Sequence, residues 1–182
     1  MNRSLLSLLI LVSPCLAQPV VPGLASIEYR EHRLQGPEQG TFEALPNAWG
    51  RPYLWAEVPG LAARERVKDR QPHFIVKGDA RIVELLALAS FNAEQARGLR
   101  YVHLDDEDQR RPSWRSRVKM EKIQLGEGVW DIHPRKPLAA GEYTLCLLSL
   151  GLAPLQDRDG HTRYVEFTVN QPYLFWTFGV EP

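Results

Sequence analysis

The chain has 182 residues, 22 Lys and Arg against 22 Asp and Glu, and 44% hydrophobic residues. That length and composition suit one domain with a sizeable core. The zero net charge argues against a nucleic-acid binder, whose binding face normally carries a basic surplus.

The N-terminus reads as a targeting signal. Arg3 precedes an apolar run over residues 5–12, and "CLA" then supplies the small residues that a signal peptidase reads. Cleavage after Ala17 is expected, so that the mature chain starts at Gln18. Cys15 offers a lipoprotein alternative, but Pro14 stands where a small residue normally precedes the modified cysteine. The run is shorter than the roughly 20 apolar residues of a membrane-spanning helix, and no later stretch is long enough, so no transmembrane segment is expected in the mature chain. Removing 17 of 182 residues leaves 165. Cys146 is then the only cysteine, which excludes an internal disulfide.

Short strands follow in order. "SIEYREHR" alternates Ile27 and Tyr29 with Glu28 and Arg30, the pattern of a half-buried strand. "LQGPEQG" is turn-rich. "TFEAL" and "PYLWAEV" are strand candidates, the second closed by Pro59-Gly60. The charged "LAARERVKDRQP" reads as a loop or one helical turn, and "HFIVKG" as a strand. Residues 82–88 are ambiguous. Ile82, Leu85, Leu86 and Ala89 fit helical spacing, yet the same run is apolar enough for a buried strand. "DDED", at 105–108, opens a polar loop that includes Pro112. "RVKMEKIQL" alternates again, and "GVWDIHP" follows a Gly-Glu-Gly turn. Asp159-Gly160 signals a hairpin, with "TRYVEFTV" after it, and "PYLFWTFGV" is a closing strand apolar on both faces. These elements predict an all-β, immunoglobulin-like antiparallel sandwich of about 7–9 strands. The expected organisation is a signal peptide at 1–17, an N-terminal extension with the first strands at 18–57, and the sandwich core at 58–182.

The most patterned stretch is "HPRKPLAAGEYTLCLLSL". Leu138 is an apolar anchor, Gly141 can take a positive φ, and Tyr143 begins a strand. This resembles the tyrosine corner of immunoglobulin-like and fibronectin type III sandwiches, in which the phenol bonds back to the turn. Leu145, Cys146, Leu147 and Leu148 are apolar on both faces, as in a central strand. A longer likeness spans residues 58–180. "VPG", "ELLALASFNAEQARGLRY", the Pro-Leu-x-x-Gly-Glu-Tyr turn and the closing Phe-Gly-Val resemble a module of uncharacterised exported bacterial proteins. Thr177 stands where that module carries an acidic residue. The resemblance implies a β-sandwich, an exported location and a strand over 82–88, and it supplies no catalytic residue.

Chemistry-bearing residues are dispersed in sequence. His32, His73, His103, His133 and His161 lack the close spacing of zinc signatures, so scattered surface histidines, no metal and no cofactor are expected, although strands can bring such residues together at one end of a sandwich. "DDED" and "DRDG" lack the full spacing of a calcium loop. Ser113, Ser116 and Ser149 lack a nucleophile elbow. Cys146, in an apolar strand, reads as inert. "QRRPSWRSR" is different: Arg110, Arg111, Arg115 and Arg117 surround Trp114, a combination that can grip an anionic or sugar partner by charge and stacking. These residues are the candidate binding site. The expected function is an exported, non-enzymatic binding or assembly module of the bacterial cell envelope, periplasmic or secreted, with a protein or polysaccharide partner. The alternative is an envelope hydrolase with carboxylates on loops at one end of the sandwich.

Overall fold

The computed structural model describes residues 21, 23–45, 53–105, 111–147, 152–156, 162–166 and 173–182. The strands are β1 (Leu24–Tyr29), β2 (His32–Arg33), β3 (Glu38–Leu45), β4 (Tyr53–Pro59), β5 (Arg66–Val67), β6 (Phe74–Gly78), β7 (Ala87–Ser90) and β8 (Asn92–Glu94). They continue with β9 (Leu99–His103), β10 (Arg117–Val118), β11 (Met120–Gly126), β12 (Val129–Pro134), β13 (Gly141–Leu147), β14 (Leu152–Gln156), β15 (Thr162–Glu166) and β16 (Tyr173–Val180). A short helix, α1 (Ala80–Leu85), separates β6 from β7. The fold is an all-β sandwich, with sixteen strand segments among the described residues. The number exceeds the expected seven to nine partly because β2, β5 and β10 are two-residue pieces.

A five-stranded sheet runs β11-β12-β6-β1-β2, and a nine-stranded sheet runs β10-β7-β13-β16-β3-β4-β9-β8 with β5 parallel to β16. Alternation along each strand decides which side chains meet between them. Ile27 and Tyr29 of β1, Phe74 and Val76 of β6 and Ile132 of β12 pack with Leu145 and Leu147 of β13 and Leu174, Trp176 and Phe178 of β16. The Phe74 and Phe178 rings meet at 4.9 Å.

The larger sheet turns a corner at β3. Residues Glu38 to Gly40 pair with β16, and Thr41 to Leu45 pair with β4. Gly40 sits at this changeover against the ring of Phe175, where a Cβ would come within 2.3 Å of a ring carbon. Beyond the corner, β4 and β9 contribute Leu54, Ala56, Val58 and Val102 to a second core with Ala89, Cys146 and Phe175. β13 and β16 are therefore buried on both faces, as the consecutive apolar residues Leu145 to Leu147 and Leu174 to Trp176 predict. The chain also crosses between sheets at Lys119, since β10 pairs with β7 and β11 with β12.

Residues 82–88 correct the expectation of a strand. Ala80–Leu85 is helical, and only Ala87 onward is strand. Asp79 caps the helix by accepting a hydrogen bond from the Arg81 amide at 2.8 Å, which satisfies one of the orphan donors of a first turn. The helix buries Ile82 and Val83, and Leu86 returns to extended backbone. Local propensity and the cap prevail here because the segment bridges two sheets and has no strand partner before Ala87. The charged stretch before β6 carries the short β5, which pairs with the end of β16. The expected leader at 1–17, Gln18, Arg110, His161, Ser149, residues 106–108 and the turn at 157–160 lie outside the described residues. β14 and β15 pair antiparallel across that turn, Gln156 opposite Thr162.

Candidate functional site: an aromatic and arginine cleft

The inward faces of β4 and β9 are fixed by Leu54, Ala56, Val58, Arg100 and Val102, all buried. Strand alternation then sends Trp55, Glu57, Tyr101 and His103 to the outer face. Trp55 lies opposite His103 and Glu57 opposite Tyr101 in the antiparallel ladder. The Trp55 and Tyr101 rings stand 5.9 Å apart and tilted, and His103 meets Tyr101 edge-on at 5.2 Å. The Trp55 indole N–H donates to Glu57 Oε2 at 3.2 Å, and Arg97 donates to Glu57 Oε1 at 3.0 Å, so the carboxylate fixes one edge of the aromatic row.

The turn from residue 111 to 117 closes over the end of this row. Ser113 donates its amide to the His103 carbonyl at 2.8 Å, and the His103 amide donates to Ser116 Oγ at 3.0 Å. Ser116 is buried, and its carbonyl accepts from the Ser90 amide at 2.8 Å. These bonds pin the turn to β7 and β9. Trp114 at its apex is 78% exposed, with the Arg115 guanidinium 5.5 Å from its ring centre. Trp55, Glu94, Tyr101, His103 and Arg115 line a cleft of about 260 Å³. Burial, with the charge of Arg115 adding to it, holds the His103 imidazole below its ordinary pKa. Its neutral form is thereby favoured in the cleft.

Beneath the row, Arg100 anchors β9 from the inside. Its guanidinium is buried, donates from Nε to the Gly60 carbonyl at 3.0 Å and from Nη2 to Glu38 at 3.2 Å, and lies 3.8 Å from Glu142. It also covers the Phe91 ring at 5.1 Å. Burial lowers its pKa while Glu38 and Glu142 oppose the shift; a guanidinium stays charged throughout the accessible range. The Thr177 hydroxyl donates to Glu38 from the neighbouring strand.

Of the sequence-predicted binding residues, Arg115 lines the cleft, while Trp114, Arg111 and Arg117 are exposed on the same turn. Sequence reasoning missed Trp55, Glu94, Tyr101 and His103. The available signal was an aromatic residue alternating out of phase with buried aliphatics in "YLWAEV" and "LRYVHL". The corner residues lie elsewhere: Leu138 is buried, Gly141 begins β13 as a strand residue without the positive φ its sequence position suggested, and the Tyr143 hydroxyl donates to the Ala139 carbonyl at 3.0 Å. The expectation of scattered histidines needs correction, because pairing of β6 with β12 brings His73 and His133 into ring stacking at 4.3 Å. No helix among the described residues is long and apolar enough to cross a membrane. Comparison with family models, curated proteins and solved structures finds no match for this chain.

Proposed function

We propose that the chain is an exported, non-enzymatic binding module of the bacterial cell envelope, and that its cleft takes a sugar ring of an acidic polysaccharide. The observation that carries this reading is the row of Trp55, Tyr101 and His103 on a rigid sheet, with Arg115 at one end. Flat rings offer stacking faces at small entropic cost, and a guanidinium matches a carboxylate or phosphate on the same ligand. Glu94 supplies an acceptor for sugar hydroxyls. The exposed Trp114, with the Arg115 guanidinium over its ring, extends the aromatic surface beyond the cleft, and Trp and Arg are the residue types enriched where binding energy concentrates.

The hydrolase alternative needs two carboxylates facing across the scissile bond. Glu94 lines the cleft, but Arg97 pairs with both Glu94 and Glu57, and Glu57 also accepts from Trp55, so binding is the better-supported reading. The export half of the proposal rests on the N-terminal pattern and is checked by mass spectrometry of the mature chain, which should begin at Gln18. A lipid-modified Cys15 would overturn soluble export.

The binding half is tested by affinity electrophoresis of the purified protein in gels containing an acidic envelope polysaccharide. Trp55→Ala and Trp114→Ala should each weaken retention, Trp55→Ala by about tenfold, equivalent to one stacked ring. Arg115→Ala should weaken it too and reduce its sensitivity to salt, because exposed charges are screened within about 8 Å at physiological ionic strength. Equal retention of all three variants and the wild type would refute the cleft as the site.

A further inference from the structure

A second cluster lies on the outer face of the five-stranded sheet. Phe74 and Ile132 are neighbours in the β6–β12 register and both point into the core. Alternation therefore places His73, Asp131 and His133 together on the opposite face, and Glu121 lies opposite His133 across β11 and β12. Asp131 Oδ2 lies 2.9 Å from His73 Nδ1 and 3.4 Å from His133 Nδ1. One donor atom from each of the three side chains lies within 4.8 Å of the others. Donors sharing a tetrahedral zinc ion at bond lengths near 2.1 Å stand roughly 3.3 Å apart, so modest rotation of one ring closes the set. His73, with 53% of its side chain exposed, has room for that rotation, which exchanges its hydrogen bond to Asp131 for the metal.

A structural hydrogen-bond network alone does not account for His133. Its side chain is only 10% exposed, and its Nδ1 is buried with no hydrogen-bond partner. A buried polar atom without a partner is costly, and such atoms are normally satisfied by protein, water or an ion. Its other nitrogen, Nε2, faces Glu121 Oε2 at 3.5 Å, and Glu121 in turn lies 3.5 Å from Arg135. A carboxylate at the far nitrogen is the usual device for orienting a ligating histidine and fixing which nitrogen holds the proton. Donor type, spacing, burial and orientation thus converge on one chemistry.

We infer that His73, Asp131 and His133 form a binding site for a divalent borderline metal such as zinc, with Glu121 positioning His133. Two imidazoles and a carboxylate suit zinc over calcium or magnesium, which take oxygen donors. Three protein ligands leave a fourth position for water or for a group on a bound partner, on the side where His73 is exposed. β12 supplies Asp131 and His133, and His73 directly precedes β6, whose Phe74 pairs with Ile132, so the site needs little ordering when the metal binds.

The test titrates the untagged protein with zinc in competition with a chromophoric chelator. One zinc per chain is expected, with a rise in melting temperature as the metal binds the folded state. His73→Ala and Asp131→Asn should abolish that rise and weaken affinity more than Glu121→Gln, whose cost should be about tenfold, as for other groups that orient a ligand. His73→Ala is the informative variant because its exposure spares the core, and far-ultraviolet circular dichroism verifies that each variant is folded. His32→Ala, at an exposed histidine on β2, should change nothing. Zinc affinity that is equal in wild type, His73→Ala and Asp131→Asn, or that falls as much in His32→Ala, would overturn the assignment.

Discussion

The hydroxyl of Tyr143 donates to the carbonyl of Ala139 over 3.0 Å, tying the start of β13 to the turn that leads into it. The ring itself stacks on Phe178 at 5.9 Å between the sheets. Burial raises the pKa of the phenol, with the hydrogen bond to Ala139 opposing the shift. Tyr143→Phe keeps the stacking and removes only the bond. The expected loss is about 1 kcal/mol, the net worth of one hydrogen bond, because Ala139 is exposed and water can replace the partner. An unchanged midpoint in urea unfolding would remove the bond from the list of stabilising contacts.

Two glycines in the larger sheet should respond unequally to a methyl group. At Gly40 a Cβ would meet the Phe175 ring at 2.3 Å and the Glu57 carbonyl oxygen at 2.9 Å, neither of which can retreat without opening the corner. Gly40→Ala should cost about 3 kcal/mol, as overpacking of a filled core does. At Gly179 the obstacle is the Arg66 guanidinium, the end of a flexible chain that pairs with Glu142. Arg66 can swing away, so Gly179→Ala should cost about 1 kcal/mol, on the scale of a partly exposed ion pair. Calorimetric melting of both variants compares them directly, and the reverse ranking would contradict the corner.

His103 provides a pH prediction with a defined sign. Its folded pKa lies below the ordinary value of 6.5, chiefly through burial and secondarily through Arg115. A depressed histidine contributes stability in full above the unfolded pKa, and that contribution declines as pH falls through about 6.5 toward the folded value. In an NMR titration the His103 ring signals should move with a midpoint below 6.5. Arg115→Ala should raise that midpoint only part of the way, since burial is the larger cause. Full restoration by Arg115→Ala would show that charge, not burial, governs the cleft.

Cys146 lies in the second core with no exposed surface, and burial pushes its thiol far above its ordinary pKa. Its Sγ donates a weak bond to the Ala87 carbonyl at 3.5 Å. The native protein should therefore resist iodoacetamide at neutral pH and react fully in denaturant. Intact-mass measurement before and after unfolding reads the difference. Rapid native alkylation would mean that the β4–β9 half of the sheet opens readily.

Much of the strand content was legible because each strand declares its burial through period. Ile27 and Tyr29 alternate with polar neighbours in β1, whereas Leu145 to Leu147 of β13 and Leu174 to Trp176 of β16 are apolar at consecutive positions, which announces strands covered on both sides. The turn after β1 was less visible. Arg30 and Glu31 both take positive φ there, although neither is the glycine or asparagine that usually marks a two-residue hairpin. Residues 82–88 misled for a related reason: an apolar run of that length fits a buried strand or a buried helix equally well. The cap at Asp79 and the absence of a strand partner before Ala87 decided between them.

The sequence by itself determined an all-β chain, the doubly buried strands, the corner at Tyr143 and an exposed turn carrying Trp114 and Arg115. Each follows from local chemistry: side-chain period, a turn residue, or a polar stretch with no apolar face to bury. Only the tertiary structure decided that Trp55, Tyr101 and His103 share one outer face with Arg115, and that His73 meets Asp131 and His133. Trp55 lies 46 residues before Tyr101, and His73 lies 58 before Asp131. Their proximity depends on which strands pair and in what register, and register is set by the whole core, because a slip of one residue would send every side chain of a strand to the other face.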